Sequence, residues 1–158
     1  MALLRLELSA LKPGHNRLRL SAEPTGLALP AESWPAPLEV TLDADRAGDQ
    51  ITVKGWVETR LADECARCLK RVEAPLDFEI VLLADRVGSG GRHEKELEQD
   101  DYVLFHDGRA IALDEEVREA ALLARPMAAL CRPDCRGLCP RCGADLNEGP
   151  CGCPKGGA

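Results

Sequence analysis

Eight cysteines in four closely spaced pairs constrain this 158-residue chain more than any other feature. Six of them lie between residues 131 and 153, in a stretch too rich in Gly and Pro to build a large apolar core. A spacing of two residues lets both thiolates of a pair bind one metal ion at tetrahedral angles. Eight thiolates therefore predict two zinc sites of four cysteines each, which can supply folding energy where a core is lacking. The pairs are Cys65/Cys68, Cys131/Cys135, Cys139/Cys142 and Cys151/Cys153.

The gaps between the pairs favour one way of sharing them between two sites. Loop-closure entropy favours the shortest closures, and the last two pairs are separated by a short gap. We therefore expect one site made of Cys139, Cys142, Cys151 and Cys153. The second site would tie the tail back to the front of the chain through Cys65, Cys68, Cys131 and Cys135. Interleaved pairing stays open at this point.

Other uses of the thiols depend on the compartment. Arg5 and Glu7 interrupt the apolar residues of MALLRLELSA, unlike a signal peptide, and no segment approaches the apolar length of a membrane span. We therefore expect a cytoplasmic protein without membrane contact, where disulfides are rare. An iron–sulfur cluster stays open. So does a dithiol oxidoreductase built on CARC, although that motif lies between strand-like runs and not before a helix.

The front of the chain has the period-two alternation of antiparallel sheet. Three runs show it clearly: LEVTLD at 38–43, ITVKGWVETRL at 51–61 and LDFEIVLLA at 76–84. The turn-rich ADRAGDQ predicts a hairpin between the first two, and LLRLEL and RLRLSA predict two more strands. Residues 1–84 are therefore predicted to form an antiparallel β domain, of barrel or sandwich type, that carries the first CxxC.

Three further segments follow. Residues 85–101 are Gly-rich and then charged, as in a flexible acidic linker. Residues 102–126 predict a short strand and a helix of about three turns, with Asp114 as the N-cap and Pro126 as the stop. Residues 127–158 form the Cys-rich, zinc-binding cap. The predicted fold class is α+β, mainly antiparallel β, with one main helix and a zinc-knuckle C-terminal cap.

No pattern in the sequence predicts catalysis. There is no Ser–His–Asp ordering, P-loop or GxGxxG fingerprint. His15, His93 and His106 lie away from every cysteine pair and read as surface residues. We therefore expect no enzyme activity, no catalytic residue and no small-molecule substrate.

Charge leaves nucleic-acid binding open. The chain has a formal charge of −7, which argues against binding by bulk charge alone. Residues 125–158 nevertheless carry five basic side chains against three acidic ones. A zinc ion held by four thiolates has a net charge of about −2, so Arg132, Arg136 and Arg141 could offset thiolate charge or contact phosphate. Trp34 and Trp56 could stack on bases.

The motifs ECARCL at 64–69 and GLCPRCGADLNEGPCGC at 137–153 resemble the YceD family of large ribosomal RNA subunit accumulation proteins. The order of a β-rich front, an acidic middle, a DEEVREA helix and a cysteine tail is also similar. The resemblance implies a non-enzymatic factor needed for 23S rRNA accumulation, processing or ribosome assembly. It implies contact with 23S rRNA or its precursor and with large-subunit ribosomal proteins, and it supplies no catalytic residue.

The sequence thus predicts a binding protein whose contact residues flank the cap. Our candidates for RNA or partner contact are Arg67, Lys70, Arg132, Arg136 and Arg141. The alternative is an interaction module whose acidic body docks on a basic ribosomal protein without touching RNA.

Overall fold

A computed structural model describes residues 3–86 and 103–154. The strands are β1 Arg5–Glu7, β2 Gly14–Ala22, β3 Leu38–Ala47, β4 Gln50–Glu64, β5 Arg71–Arg86, β6 Val103–His106 and β7 Ala110–Ala112. One α-helix, α1 Asp114–Ala124, lies within these described ranges, together with 3-10 turns at Leu8–Ala10 and Pro24–Leu27. None of the helices in these ranges is long and apolar enough to cross a membrane.

The strands form one five-stranded sheet and one small two-stranded sheet. The large sheet has the order β2-β3-β4-β5-β6, and β1 pairs with β7. Within the described chain β2 and β6 are its two edges, so the sheet is open, and of the two predicted forms, barrel or sandwich, the barrel is wrong. Strands β2 to β5 are antiparallel, as predicted, but β6 runs parallel to β5. A parallel neighbour needs a crossover of about a dozen residues or more, and the chain between Arg86 and Val103 has that length.

The predicted alternation places the core on one face of the sheet. Along β4, Ile51, Val53 and Val57 are buried, whereas Lys54 and Glu58 are exposed. The inner faces of the strands, β1 and the buried side of α1 form a single apolar core. The predicted β3–β4 hairpin is confirmed by antiparallel pairing up to its turn.

Two ring side chains are buried against expectation. Trp34 is only 1% exposed, which excludes it as a platform for bases, whereas Trp56 is on the open face of the sheet. His106 is buried too, contrary to the prediction of a surface residue. Its Nδ1 accepts a hydrogen bond from the N–H of Gly108, so Nε2 donates to the carbonyl oxygen of Asp49. The ring has a structural role because both nitrogens have backbone partners.

The helix has the predicted length but not the predicted cap. Leu113 occupies the N-cap position and Asp114 begins the helix, with no side-chain cap. The Asp114 carboxylate instead accepts hydrogen bonds from the backbone N–H groups of Leu3 and Leu4, at 3.0 and 2.8 Å. This contact spans more than a hundred residues, which is why local sequence did not reveal it.

The predicted linker lies almost wholly outside the described residues. Only Asp85 and Arg86 of residues 85–101 fall inside, and both belong to the end of β5. His93 also lies outside. In the cap, the described part from residue 127 to 154 has no helix or strand, only one isolated antiparallel bridge between Leu138 and Asp145. Its shape therefore depends on turns and on the cysteines.

Candidate metal centres

The fold gathers the eight cysteines into two groups of four. The bridging cluster contains Cys65, Cys68, Cys131 and Cys135, and the tail cluster contains Cys139, Cys142, Cys151 and Cys153. Within each cluster every sulfur lies within 4.8 Å of the others. This is the division that the short loop lengths favoured, and the eight described cysteines do not interleave.

The β4–β5 hairpin supplies one half of the bridging cluster. Its connection makes a tight turn in which the N–H of Leu69 donates to the carbonyl oxygen of Cys65 at 2.9 Å. Leu69 adopts a left-handed backbone in this turn, with φ 61°. The N–H of Ala66 donates to the carbonyl of Ala129 at 2.8 Å, which joins the hairpin to the chain that enters the cap. The second half, Cys131 and Cys135, is thereby brought to the hairpin.

The tail cluster is built on the same turn. In CPRCG the N–H of Gly143 donates to the carbonyl oxygen of Cys139 at 2.8 Å, and Gly143 has φ 73°. Glycine adopts this left-handed conformation without the strain that a side chain brings. The two CxxC turns are thus the same local structure, once with leucine and once with glycine at the left-handed position.

The spacing of the sulfurs fits a tetrahedral metal. A Zn–S bond of about 2.3 Å implies sulfurs about 3.8 Å apart. The Sγ–Sγ distances are 3.8 Å for Cys65–Cys135, 3.6 Å for Cys68–Cys131 and 3.5 Å for one pair of the tail cluster. A disulfide needs about 2.05 Å, and all eight cysteines are free. Both clusters can therefore hold a metal ion.

Backbone N–H groups prepare one thiol in each cluster for metal binding. Those of Cys68 and Cys131 lower the pKa of Cys65 to about 6. The N–H of Cys142 acts likewise on Cys139, whose pKa is also lowered to about 6. In the same cluster the neighbouring Cys142 thiol raises the pKa of Cys153 to about 12. Clustered thiolates repel one another, and a divalent cation would remove that conflict by deprotonating all four.

Two of the predicted contact residues hold the cap on the hairpin. Arg67 donates to the carbonyl oxygen of Cys135 at 2.8 Å. Lys70 pairs with the carboxylate of Asp145 at 2.6 Å and reaches Glu148 at 3.3 Å. The Asp145 hydrogen bond raises the pKa of Lys70 to about 12, and in turn Lys70 lowers the pKa of Asp145. The charged groups of both side chains therefore have partners within the protein, and these contacts join the cap to the β domain.

Asn147, which the sequence analysis did not single out, joins the loop between the tail-cluster pairs to the bridging cluster. It lies between the pairs of the tail cluster, yet its Nδ2 donates to the sulfur of Cys135 at 3.4 Å. This hydrogen bond lowers the pKa of the Cys135 thiol. Its Oδ1 accepts from the N–H of Arg136 at 2.8 Å and from the Arg132 guanidinium at 2.9 Å. The LN of the tail motif was its only signal in the sequence.

The remaining two candidates point away from this network. The Arg136 guanidinium makes no hydrogen bond or ion pair within the described part of the chain, and it is exposed. Arg141 is exposed, and among the described residues its guanidinium hydrogen-bonds only the carbonyl oxygen of Pro154, at 3.3 Å. These two cations are held at fixed positions by the cysteine turns while their charged ends stay in water.

The fold and site define a class: an open β-sheet protein with a C-terminal cap attached through cysteine clusters. Residues 53–157, which include all eight cysteines, match the family described as "Large ribosomal RNA subunit accumulation protein YceD". The chain belongs to the YceD family. The resemblance stated from the cysteine motifs is thereby confirmed.

Similar proteins come from bacteria and plants. An uncharacterized protein of Mycobacterium tuberculosis is 32% identical over 125 residues, 79% of this chain and 59% of that protein. The "Large ribosomal RNA subunit accumulation protein YCED homolog 1, chloroplastic" of Arabidopsis thaliana is 24% identical over 176 residues, 96% of this chain and 55% of that protein. The chain thus spans less than two thirds of these relatives. No solved structure matches it.

Proposed function

We propose that this chain is a non-enzymatic factor of the cytoplasm that supports accumulation of large-subunit (23S) rRNA by binding the RNA, its precursor or a large-subunit ribosomal protein. Membership of a family described by rRNA accumulation supports this proposal. The observation that carries it is the pair of exposed arginines, Arg136 and Arg141, fixed beside two four-cysteine clusters.

Zinc is the metal that the donor set fits best. Four thiolates at tetrahedral spacing and no open coordination position are typical of a structural zinc site. Each cluster would hold one zinc ion, with Cys65, Cys68, Cys131 and Cys135 as ligands of one and the tail cluster as ligands of the other. The ions would stabilise the cap and take no part in chemistry.

The mechanism is display of cations on a rigid cap. Guanidinium groups contact phosphate well because their N–H groups form a planar fork. Arg67, Lys70 and Arg132 make their hydrogen bonds inside the protein. Contact with RNA therefore falls chiefly to Arg136 and Arg141, which would position the protein on the RNA backbone.

Crosslinking in growing cells tests this proposal. Tagged protein is crosslinked, washed stringently, and the bound RNA is sequenced; we expect a discrete peak on large-subunit rRNA or its precursor. The double variant Arg136→Glu and Arg141→Glu should reduce the peak at least about tenfold, since each charge reversal removes a phosphate contact, while zinc content stays unchanged.

A matched variant controls for total charge. Arg19→Glu with Arg60→Glu makes the same charge change on the exposed face of the sheet, remote in sequence from the cap. Equal loss of the peak in both variants would refute a specific role for the cap arginines. Absence of any RNA above background, with large-subunit proteins still co-purifying, would move the function to protein docking.

A further inference from the structure

Most of β5 has a free edge. Strand β5 pairs with β4 along its length, but β6 pairs with it only at Leu83–Arg86. Within the described residues, the other edge of β5 before Leu83 therefore has no neighbouring strand. Pro75 has no N–H to offer at this edge. From Leu76 to Leu82, alternate residues direct their backbone N–H and C=O groups at it, and an extended peptide can add to an edge of this kind.

A groove of about 330 Å³ lies along the Glu79–Leu82 part of this edge. Helix α1 forms its far wall, and residues from both faces of β5 form its near wall, so the groove wraps around the edge itself. Its apolar lining comes from Ile80, Val81, Leu82, Leu104, Ala120 and Leu123. Val81 is 59% exposed and Leu123 is 85% exposed, so both walls of the groove offer apolar surface to a partner.

The charge of the groove is of one sign. Among the described residues, the charged ones that line it are Glu79, Glu116 and Glu119. None of the three has an ion pair within the described chain; Arg118, the nearest cation on the helix, pairs with Glu115. Burial, with nearby carboxylates, raises the pKa of Glu116. A cation from outside would relieve this unfavourable arrangement.

We infer that the groove between β5 and α1 binds an extended, lysine- or arginine-rich segment of a partner protein as an added β-strand. Main-chain hydrogen bonds to Leu76–Leu82 would supply affinity. Alternate side chains of the segment would reach the apolar lining of the groove and the three glutamates. The residues that precede β6 are a poor occupant because residues 87–102 contain five acidic side chains and two basic ones. A second copy of the chain is also a poor occupant, because its own three glutamates would add negative charge to the groove.

This inference rests on the proposed function only for the source of the segment, which would be a basic large-subunit protein. It goes further by giving that partner a surface separate from the cap arginines. Peptide binding to the purified protein requires no RNA. Failure here would therefore leave the RNA proposal standing, and loss of RNA binding would leave this one standing.

The probe is a labelled nine-residue peptide that alternates lysine and valine, titrated with the full chain and followed by fluorescence anisotropy. We expect saturable binding, and none for the matching glutamate–valine peptide. Glu116→Gln with Glu119→Gln should weaken binding about tenfold, which is about 1.4 kcal/mol for the two carboxylates together. Glu32→Gln with Glu58→Gln, which removes two exposed carboxylates outside the groove lining, should leave binding unchanged.

Backbone methylation separates strand addition from simple charge attraction. N-methylation of alternate residues along one edge of the lysine peptide should abolish binding, because it removes the donors for Leu76–Leu82. Retained binding, or equal weakening by both pairs of glutamine substitutions, would overturn the inference. So would a dimer of the protein alone that Val81→Lys dissociates, because the edge would then be occupied by a second copy.

Discussion

The bridging cluster and the tail cluster each contain four cysteine thiols, but they close very different lengths of chain. In the bridging cluster the paired sulfurs are 70 and 63 residues apart, whereas the tail-cluster pair is 12 residues apart. The longer closure costs about 1.5 kcal/mol more in chain entropy. The β4–β5 hairpin offsets part of that cost because its tight turn holds Cys65 and Cys68 close together. The long-range cluster therefore depends on the folded sheet, and the local one does not.

The clusters also differ in exposure. Cys65 and Cys68 are 0% and 4% exposed, and Val72 and Leu138 pack against them. In the tail cluster only Cys139 is buried, and Cys142 is exposed. A chelator should therefore reach the tail cluster first. The bridging cluster would therefore attach the cap to the β domain, whereas the tail cluster would shape the cap itself.

The largest effect should come from removing a bridging ligand. Cys65→Ser should release the cap, so that amide hydrogens of residues 128–138 exchange rapidly in hydrogen–deuterium exchange, because three ligands hold zinc poorly and the long closure is lost. Cys151→Ser should affect residues 139–153 while Ala66, whose N–H bonds Ala129 across the junction, keeps its protection. Equal release of the junction in both variants would contradict the division of roles.

A single methyl group at Gly137 should also loosen the contact between the cap and the β4–β5 hairpin. Gly137 has φ 76°, and a Cβ there would lie 2.9 Å from the backbone oxygen of Arg67. Gly137→Ala should therefore cost about 2–3 kcal/mol in the free energy of unfolding, from left-handed strain plus the clash. Chemical denaturation measures it. Gly152→Ala, which meets nothing within 4 Å, is the control, and a similar loss there would show that the junction is not special.

Removing Asn147 should detach its loop from Cys135 and change the pH dependence of metal binding by the bridging cluster. Asn147→Ala deletes the hydrogen bond that lowers the pKa of Cys135. With a higher thiol pKa, protons compete better for the sulfur, so the bridging zinc should be released at a higher pH on acid titration. Stability should fall by about 1–2 kcal/mol. Zinc release is followed on acid titration with a chromogenic chelator. An unchanged release pH would count against this role of Asn147 at Cys135.

The smallest effects should distinguish the two CxxC turns. Leu69→Gly relieves left-handed strain but loosens the unfolded chain, and the two should nearly cancel. Gly143→Leu introduces that strain and should cost about 1–2 kcal/mol. Thermal unfolding of the two zinc-loaded variants checks this asymmetry. Equal shifts in Tm would mean that the turns differ from the geometry described.

Much of the sheet could be read from the sequence because its signal is local. Alternation in ITVKGWVETRL predicted β4 and its buried face, and loop length predicted the division of the cysteines. What the sequence missed depends on distant partners. Asp114 bonds the amides of Leu3 and Leu4 and caps nothing. His106 is buried where its ring meets the β3–β4 turn, and the carbonyl oxygen of Asp49 there is the partner of Nε2.

The roles of the candidate contact residues also depend on partners that are distant in sequence. Arg67 and Lys70 were predicted to contact RNA because they are basic and lie within CARC and two residues after it. Only the docked cap reveals that their partners are Cys135 and Asp145. No local pattern could distinguish these two side chains, which have partners within the protein, from Arg136, whose charged end stays in water.

Native mass spectrometry of the purified full chain tests the central proposal most directly. Two closed zinc sites predict a folded species carrying two zinc ions with all eight thiols deprotonated. Acid denaturation should then return the fully reduced chain mass. A metal-free folded species that is lighter by pairs of hydrogens would mean disulfides, and a mass that fits iron and inorganic sulfide would mean a cluster. Either result would contradict the zinc-held cap.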